Sequence, residues 1–122
     1  LARHVMHLGA VSDDELRQLM AAVGAEFRAV LPARIAAIDA LWAQGPRGGD
    51  NGQALPELIR AVHALAGSAG TFGCAAVGDA AAAAEAVLEP HRDRGWPPED
   101  ARPEIARRLE ALRRAAVADG QR

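Results

Sequence analysis

Apolar residues recur at helical spacing in four segments of the chain, separated by stretches rich in glycine, proline and polar residues. The first segment opens at Ser12, a good helix N-cap, with Glu15 in the position of its capping-box partner. Its apolar stripe consists of Leu16, Leu19, Met20, Val23, Phe27, Val30, Leu31, Ile35, Ile38, Leu41 and Trp42. Because Pro32 interrupts this stripe, the segment is either two helices or one kinked helix. The glycine-rich residues 45–52 predict a loop after it.

The other segments predict three further amphipathic helices. They cover residues 53–71, residues 75–89, and a stretch from near Pro98 to the polar tail at Gly120. Gly70 and Gly73 mark the end of the first of these, and residues 91–98 predict a turn before the last. Amphipathic helices joined by short loops are typical of an all-α, antiparallel up-and-down four-helix bundle.

The composition favours helices over a sheet. Of the 122 residues, 30 are alanine, the strongest helix former, whereas valine, isoleucine, threonine and tyrosine are scarce. Half of the residues are apolar, and a chain of this length buries roughly two-thirds of its unfolded surface. We therefore expect a single domain over residues 1–122.

Charge and cysteine content exclude several classes of protein. The net charge of −2 gives no basic surface for nucleic acid. No apolar run is long enough for a membrane span and no signal peptide is visible, so we expect a cytoplasmic domain without membrane contact. Cys74 is the sole cysteine and is predicted to be a small buried residue. The chain begins with Leu1, which is compatible with a piece of a longer protein.

The second helix has a histidine on its outer face. With His63 at 0° on a helical wheel, the apolar residues cluster on the opposite side. Arg60, Gly67, Gly70 and Ala66 fall near His63, at about 60°, 40°, −20° and −60°. Glycine within a helix costs roughly 1 kcal/mol relative to alanine, so small residues beside His63 indicate clearance for an approaching partner.

An exposed imidazole suits phosphoryl transfer. Its ordinary pKa is about 6.5, so a neutral ring nitrogen is available near pH 7 to attack an activated phosphoryl group. Periodicity alone favours the simpler interpretation, in which His63 is a solvated surface histidine. His4 and His7 have the spacing of a helical metal site, but without a third ligand nearby no metal is expected.

The segment from Ala61 to Glu89 resembles the histidine-containing phosphotransfer (HPt) domains of two-component phosphorelays. That family's pattern is His, any residue, Leu, Lys, Gly, five residues and Gly. The chain reads His63-Ala64-Leu65-Ala66-Gly67, five residues and then Gly73. The family also carries a glutamate twenty-two residues after the histidine, where this chain has Glu85.

The resemblance implies a four-helix bundle with a short additional N-terminal helix. His63 would be phosphorylated, usually on Nε2, by a receiver-domain aspartate or a kinase, and would pass the group to a response-regulator aspartate. Gly67 and Gly70, with Ala66, would face the receiver. The expected partners are response-regulator receiver domains and a sensor histidine kinase. The receiver would bind Mg²⁺, and this chain would bind no cofactor. The chain would be a phosphotransfer intermediate and not an autonomous enzyme. We expect it to be a monomer.

Two positions near His63 leave alternatives open. Ala66 replaces the family lysine, and Arg60 either compensates for that lost charge or is a solvated surface residue. Glu85 either accepts the other ring N–H of His63 or is a solvated helix residue, depending on the distance between two helices. Two alternatives to a relay also remain: a receiver-binding bundle without phosphoryl chemistry, and the phosphorylated N-terminal domain of a chemotaxis-type kinase.

Overall fold

The computed structural model describes residues 11–47 and 52–121. The expected N-terminal helix, as well as His4 and His7, lies outside these residues. The described part of the chain contains four α-helices and no strand. The helices are α1 (Asp13–Gln44), α2 (Ala54–Ser68), α3 (Ala75–Leu88) and α4 (Arg102–Gly120), with short 3-10 turns at Gly45–Arg47, Glu89–His91 and Glu99–Ala101.

The helices pack as a four-membered bundle. Each contacts the helix that follows it along the chain, and α4 also contacts α1, which closes the bundle around one core. The largest fully buried side chains of that core are Leu31, Ile38, Leu55, Leu58, Ile59, Leu65, Leu88, Ile105 and Leu112. The predicted helical bundle is therefore confirmed.

Helix α1 is continuous and longer than its neighbours. Ser12 caps it by accepting a hydrogen bond from the Glu15 backbone N–H at 3.0 Å, as its sequence predicts. Pro32 lies inside the helix without dividing it, because buried Leu31 and Ile35 hold the chain on both sides against the core. The helix has 32 residues against 15, 14 and 19 in the others. Its first turns therefore leave the apolar side chains of Leu16, Leu19 and Met20 exposed.

The connection between α2 and α3 is tight. Helix α2 ends at Ser68, three residues before the predicted end, so Gly70 lies in the turn and not in the helix. Gly73 has a φ of 83°, a conformation that favours glycine. A Cβ on Gly78 would lie 3.4 Å from the Gly70 backbone nitrogen, so α3 passes close to the end of α2 at this position.

Aromatic pairs fix both ends of the bundle. Trp42 and Trp96 stack with ring centroids 5.1 Å apart, so Trp96 packs the turn before α4 against the end of α1. Phe27 contacts Phe72 in the α2–α3 turn, also at 5.1 Å. Cys74 is fully buried, as expected. Among the described helices, none is both long enough and apolar enough to pass through a bilayer.

Candidate functional site

His63 stands on the outer face of α2. Its neighbours Leu58, Val62 and Leu65 point into the core and are almost completely buried. The His63 side chain, by contrast, is 71% exposed. The placement follows from helical periodicity, since the core-facing positions recur every three or four residues and His63 falls between them.

Glu85 of α3 holds the His63 ring from across the helix pair. Nδ1 of His63 lies 2.5 Å from Oε2 of Glu85, whose side chain is only 24% exposed. Because a carboxylate can only accept a hydrogen bond, Nδ1 carries the hydrogen and donates it to Glu85. In the neutral imidazole this leaves Nε2 with its lone pair available to a reactant. The sequence left open whether Glu85 contacts His63 or is a solvated helix residue, and in the structure the two side chains are in contact.

A shallow depression of about 480 Å³ opens beside the histidine. It is lined by His63, Ala82, Glu85, Ala86, Glu89 and Arg92. Helix α3 contributes two short alanine side chains to the lining, and the segment that follows this helix contributes Glu89 and Arg92. Among these lining residues, Arg92 supplies the positive charge.

Arg92 and Glu89 form a two-point ion pair at the edge of the depression. Nε of Arg92 donates to Oε1 of Glu89 at 2.7 Å, and Nη2 donates to Oε2 at 2.8 Å. The hydrogen bond from Arg92 lowers the pKa of Glu89, and the charges of Arg92 and His63 lower it further against the opposing effect of burial. The same hydrogen bond, which Arg92 donates to Glu89, raises the pKa of Arg92. The pair is therefore ionised over the whole neutral range.

The other predicted site residues lie around the histidine but not in the depression. Arg60 is exposed on α2, but it is not among the described residues that line the depression. Ala66 is half-buried against the core. At Gly67 and Gly70 a Cβ would meet no atom within 4 Å, so the fold itself does not require glycine at these two exposed positions for space. Because neither glycine has a side chain, nothing projects from the surface at these two positions.

Sequence reasoning missed Glu89 and Arg92. Both follow the last residue of α3, where helical periodicity ends and the position of a side chain depends on the turn. A signal was present, because Ala82, Glu85 and Glu89 form one i, i+3, i+7 stripe that leads to Arg92 at a further i+3 step.

A family model described as the Hpt domain matches residues 12–116 of the chain. Comparisons with curated proteins and with solved structures gave no significant match. Within residues 11–47 and 52–121, no group of three or more histidine, cysteine, aspartate or glutamate side chains is arranged to hold a metal ion.

Proposed function

The chain belongs to the Hpt domain family of two-component phosphorelay signalling, and on this premise we propose that His63 is its phosphoryl-accepting residue. In this proposal His63 takes a phosphoryl group from a receiver-domain aspartate or a kinase and delivers it to a response-regulator aspartate. The observation that carries the proposal is the exposed His63 ring, whose Nδ1 is bound to Glu85 while Nε2 is left for the reaction.

The transfer follows from the hydrogen-bond arrangement. The Nε2 lone pair attacks the phosphorus of an aspartyl phosphate, and the Nε2–P bond forms as the P–O bond to the aspartate breaks. The electron pair of the broken bond leaves with the aspartate carboxylate. The ring becomes a phosphorylated imidazolium, whose positive charge is balanced by Glu85 on the Nδ1 hydrogen. Delivery to the next aspartate is the same step in reverse.

The rest of the catalytic apparatus belongs to the partner. We assign Mg²⁺ and the acidic pocket to the receiver, and to this chain the nucleophile on an accessible helix face. The absence of side chains at Gly67 and Gly70 supports this assignment, since it gives another protein access to His63. The face also includes half-buried Ala66. The cytoplasmic location and monomeric state expected from the sequence stay predictions.

Phosphoryl transfer from a set of phosphorylated receiver domains tests this function. We expect acid-labile, base-stable label on the wild-type chain and none on His63→Gln. Glu85→Ala should slow labelling about tenfold or more, because a hydrogen bond to a charged group contributes about 1.5–3 kcal/mol. Glu26→Ala, which removes an exposed glutamate of α1, is the matched control and should label at the wild-type rate.

The alternative functions give different results. Binding of a receiver without label on the wild-type chain would contradict phosphotransfer and favour a receiver-binding bundle. Label that survives in His63→Gln would place the phosphoryl group on another residue. Equal rates for wild type and Glu85→Ala would remove the proposed orienting role of Glu85 while leaving His63 as the acceptor.

A further inference from the structure

A phosphoryl group on His63 would enter a surface that already carries negative charge. The group adds about −1.5 to −2 charges near pH 7, as phosphoryl groups on proteins do. Glu85 and Glu89 both line the depression beside the ring. Position 66, one helical turn after His63, holds an alanine. A cationic contact from elsewhere in the fold would therefore stabilise the phosphorylated state.

Arg92 is placed to provide that contact. It lines the same depression as His63 and Glu85, and its two hydrogen bonds to Glu89 hold it there. The charge of Glu85 also contributes to raising the pKa of Arg92. Arg60 does not line the depression, so among the described residues Arg92 is the better placed of the two arginines.

The hydrogen bonding of Arg92 leaves donors for a second anion. A guanidinium has five N–H donors, and two of them bond to Glu89, which leaves three. Arginine bonds phosphate oxygens with paired N–H groups, and such charge-assisted bonds are stronger than neutral ones. The two bonds to Glu89 fix the guanidinium plane of Arg92, which lines the depression and keeps three N–H donors for another anion.

We propose that Arg92, and not Arg60, contacts the phosphoryl group on His63, with Glu89 as the residue that positions Arg92. This inference rests on the proposed function of His63. It assigns to the turn after α3 the positive charge that the chain lacks at Ala66 on α2.

Chemical phosphorylation tests this contact without a protein partner. The small donor phosphoramidate transfers its phosphoryl group to an imidazole nitrogen as its own P–N bond breaks and ammonia leaves. We expect Arg92→Ala to form phosphohistidine at position 63 about tenfold more slowly than wild type, since a charge-assisted bond is lost. Arg92→Lys should recover only part of the rate, because lysine keeps the positive charge but cannot donate two parallel N–H bonds to one anion. Arg94→Ala is the matched control, an exposed arginine that does not line the depression, and should react like wild type.

Side-chain NMR distinguishes a direct contact between Arg92 and the phosphoryl group from a purely structural role of Arg92. On phosphorylation of the wild-type chain, the Nε–H signal of Arg92 should shift while those of Arg60 and Arg94 stay in place. Equal rates for Arg92→Ala and Arg94→Ala would overturn the inference, as would a phosphorylation shift at Arg60 in place of Arg92. The proposed function fails separately, if receivers do not label the wild-type chain or if their label survives in His63→Gln.

Discussion

At the scale of single residues, the depression beside His63 combines two carboxylates with different tasks. Glu85 is bound to the imidazole and therefore determines which nitrogen carries the hydrogen. Glu89 is bound to Arg92 and therefore determines where the guanidinium lies. The two pairs are adjacent because Glu85 and Glu89 are four residues apart at the end of one helix face.

The ion pair at this edge has a testable dependence on pH. Since the hydrogen bond from Arg92 lowers the pKa of Glu89, the pair stabilises the fold at pH values above the ordinary pKa of a glutamate. That contribution is lost as the pH falls through the lowered pKa. We expect Arg92→Ala to raise the pKa of Glu89, measured by NMR titration of its side-chain carboxyl carbon.

His63→Gln provides the comparison, because the charge of His63 has a smaller part in lowering the pKa of Glu89. Its effect on the Glu89 titration should therefore be weaker than that of Arg92→Ala. Identical Glu89 titrations in wild type and Arg92→Ala would show that the ion pair does not form in solution.

At the scale of the elements, the connection between α2 and α3 determines how closely the two site-bearing helices approach. The turn is clamped on α1 by the Phe27–Phe72 contact. Gly24 gives it space, because a Cβ there would lie 3.1 Å from the Phe72 carbonyl oxygen. Helix α3 follows directly on this turn, and Glu85 on it lies within hydrogen-bond distance of His63.

Two glycines of this helix pair should respond to alanine in opposite ways. Gly73→Ala should lower the free energy of unfolding by about 1–2 kcal/mol, since its φ of 83° is strained for any L side chain. Gly67→Ala should raise it by up to about 1 kcal/mol, because the site is helical and its Cβ meets open space. Urea denaturation of both variants measures the two changes.

Receiver binding tests whether Gly67 also has a functional role. If Gly67 leaves room for a partner, Gly67→Ala should bind receiver domains more weakly although the fold is more stable. A Gly67→Ala variant with wild-type receiver binding would show that this position lies outside the partner interface. Destabilisation by Gly67→Ala would instead mean that its surroundings are less open than the structure shows.

At the scale of the whole molecule, the predictable features are those set by local chemistry and periodicity. The cap at Ser12, the four helices and the exposure of His63 follow from side-chain type and spacing. The His63–Glu85 contact depends on how closely two helices pack, which no spacing along the chain gives. Arg92 was missed for a related reason: its position depends on a 3-10 turn after the helix and on the partner it finds there.

The bundle also contains a long-range contact that ties its last helix to the site-bearing pair. Asp119, in the last turn of α4, is 1% exposed, and its Oδ2 accepts a hydrogen bond from the Val77 backbone N–H at 3.0 Å. Cys74, the N-cap residue of α3, makes no side-chain capping bond. The carboxylate of Asp119, which belongs to another helix, therefore caps the N-terminus of α3. The dipole of α3 also favours an acidic group at this end of the helix.

Removal of this cap should separate stability from transfer. Asp119→Ala leaves a buried N–H without its acceptor, and we expect it to lower the free energy of unfolding by about 1–3 kcal/mol. The exposed Asp79→Ala on the same helix, α3, should change it by less than about 0.5 kcal/mol. Glu85 is eight residues, or about 12 Å, along α3 from Val77, so the folded Asp119→Ala protein should accept phosphoryl groups at the wild-type rate. Urea denaturation and the labelling assay measure the two quantities. Wild-type stability would show that the Asp119 cap adds nothing, and slowed labelling would show that the site depends on how α4 anchors α3.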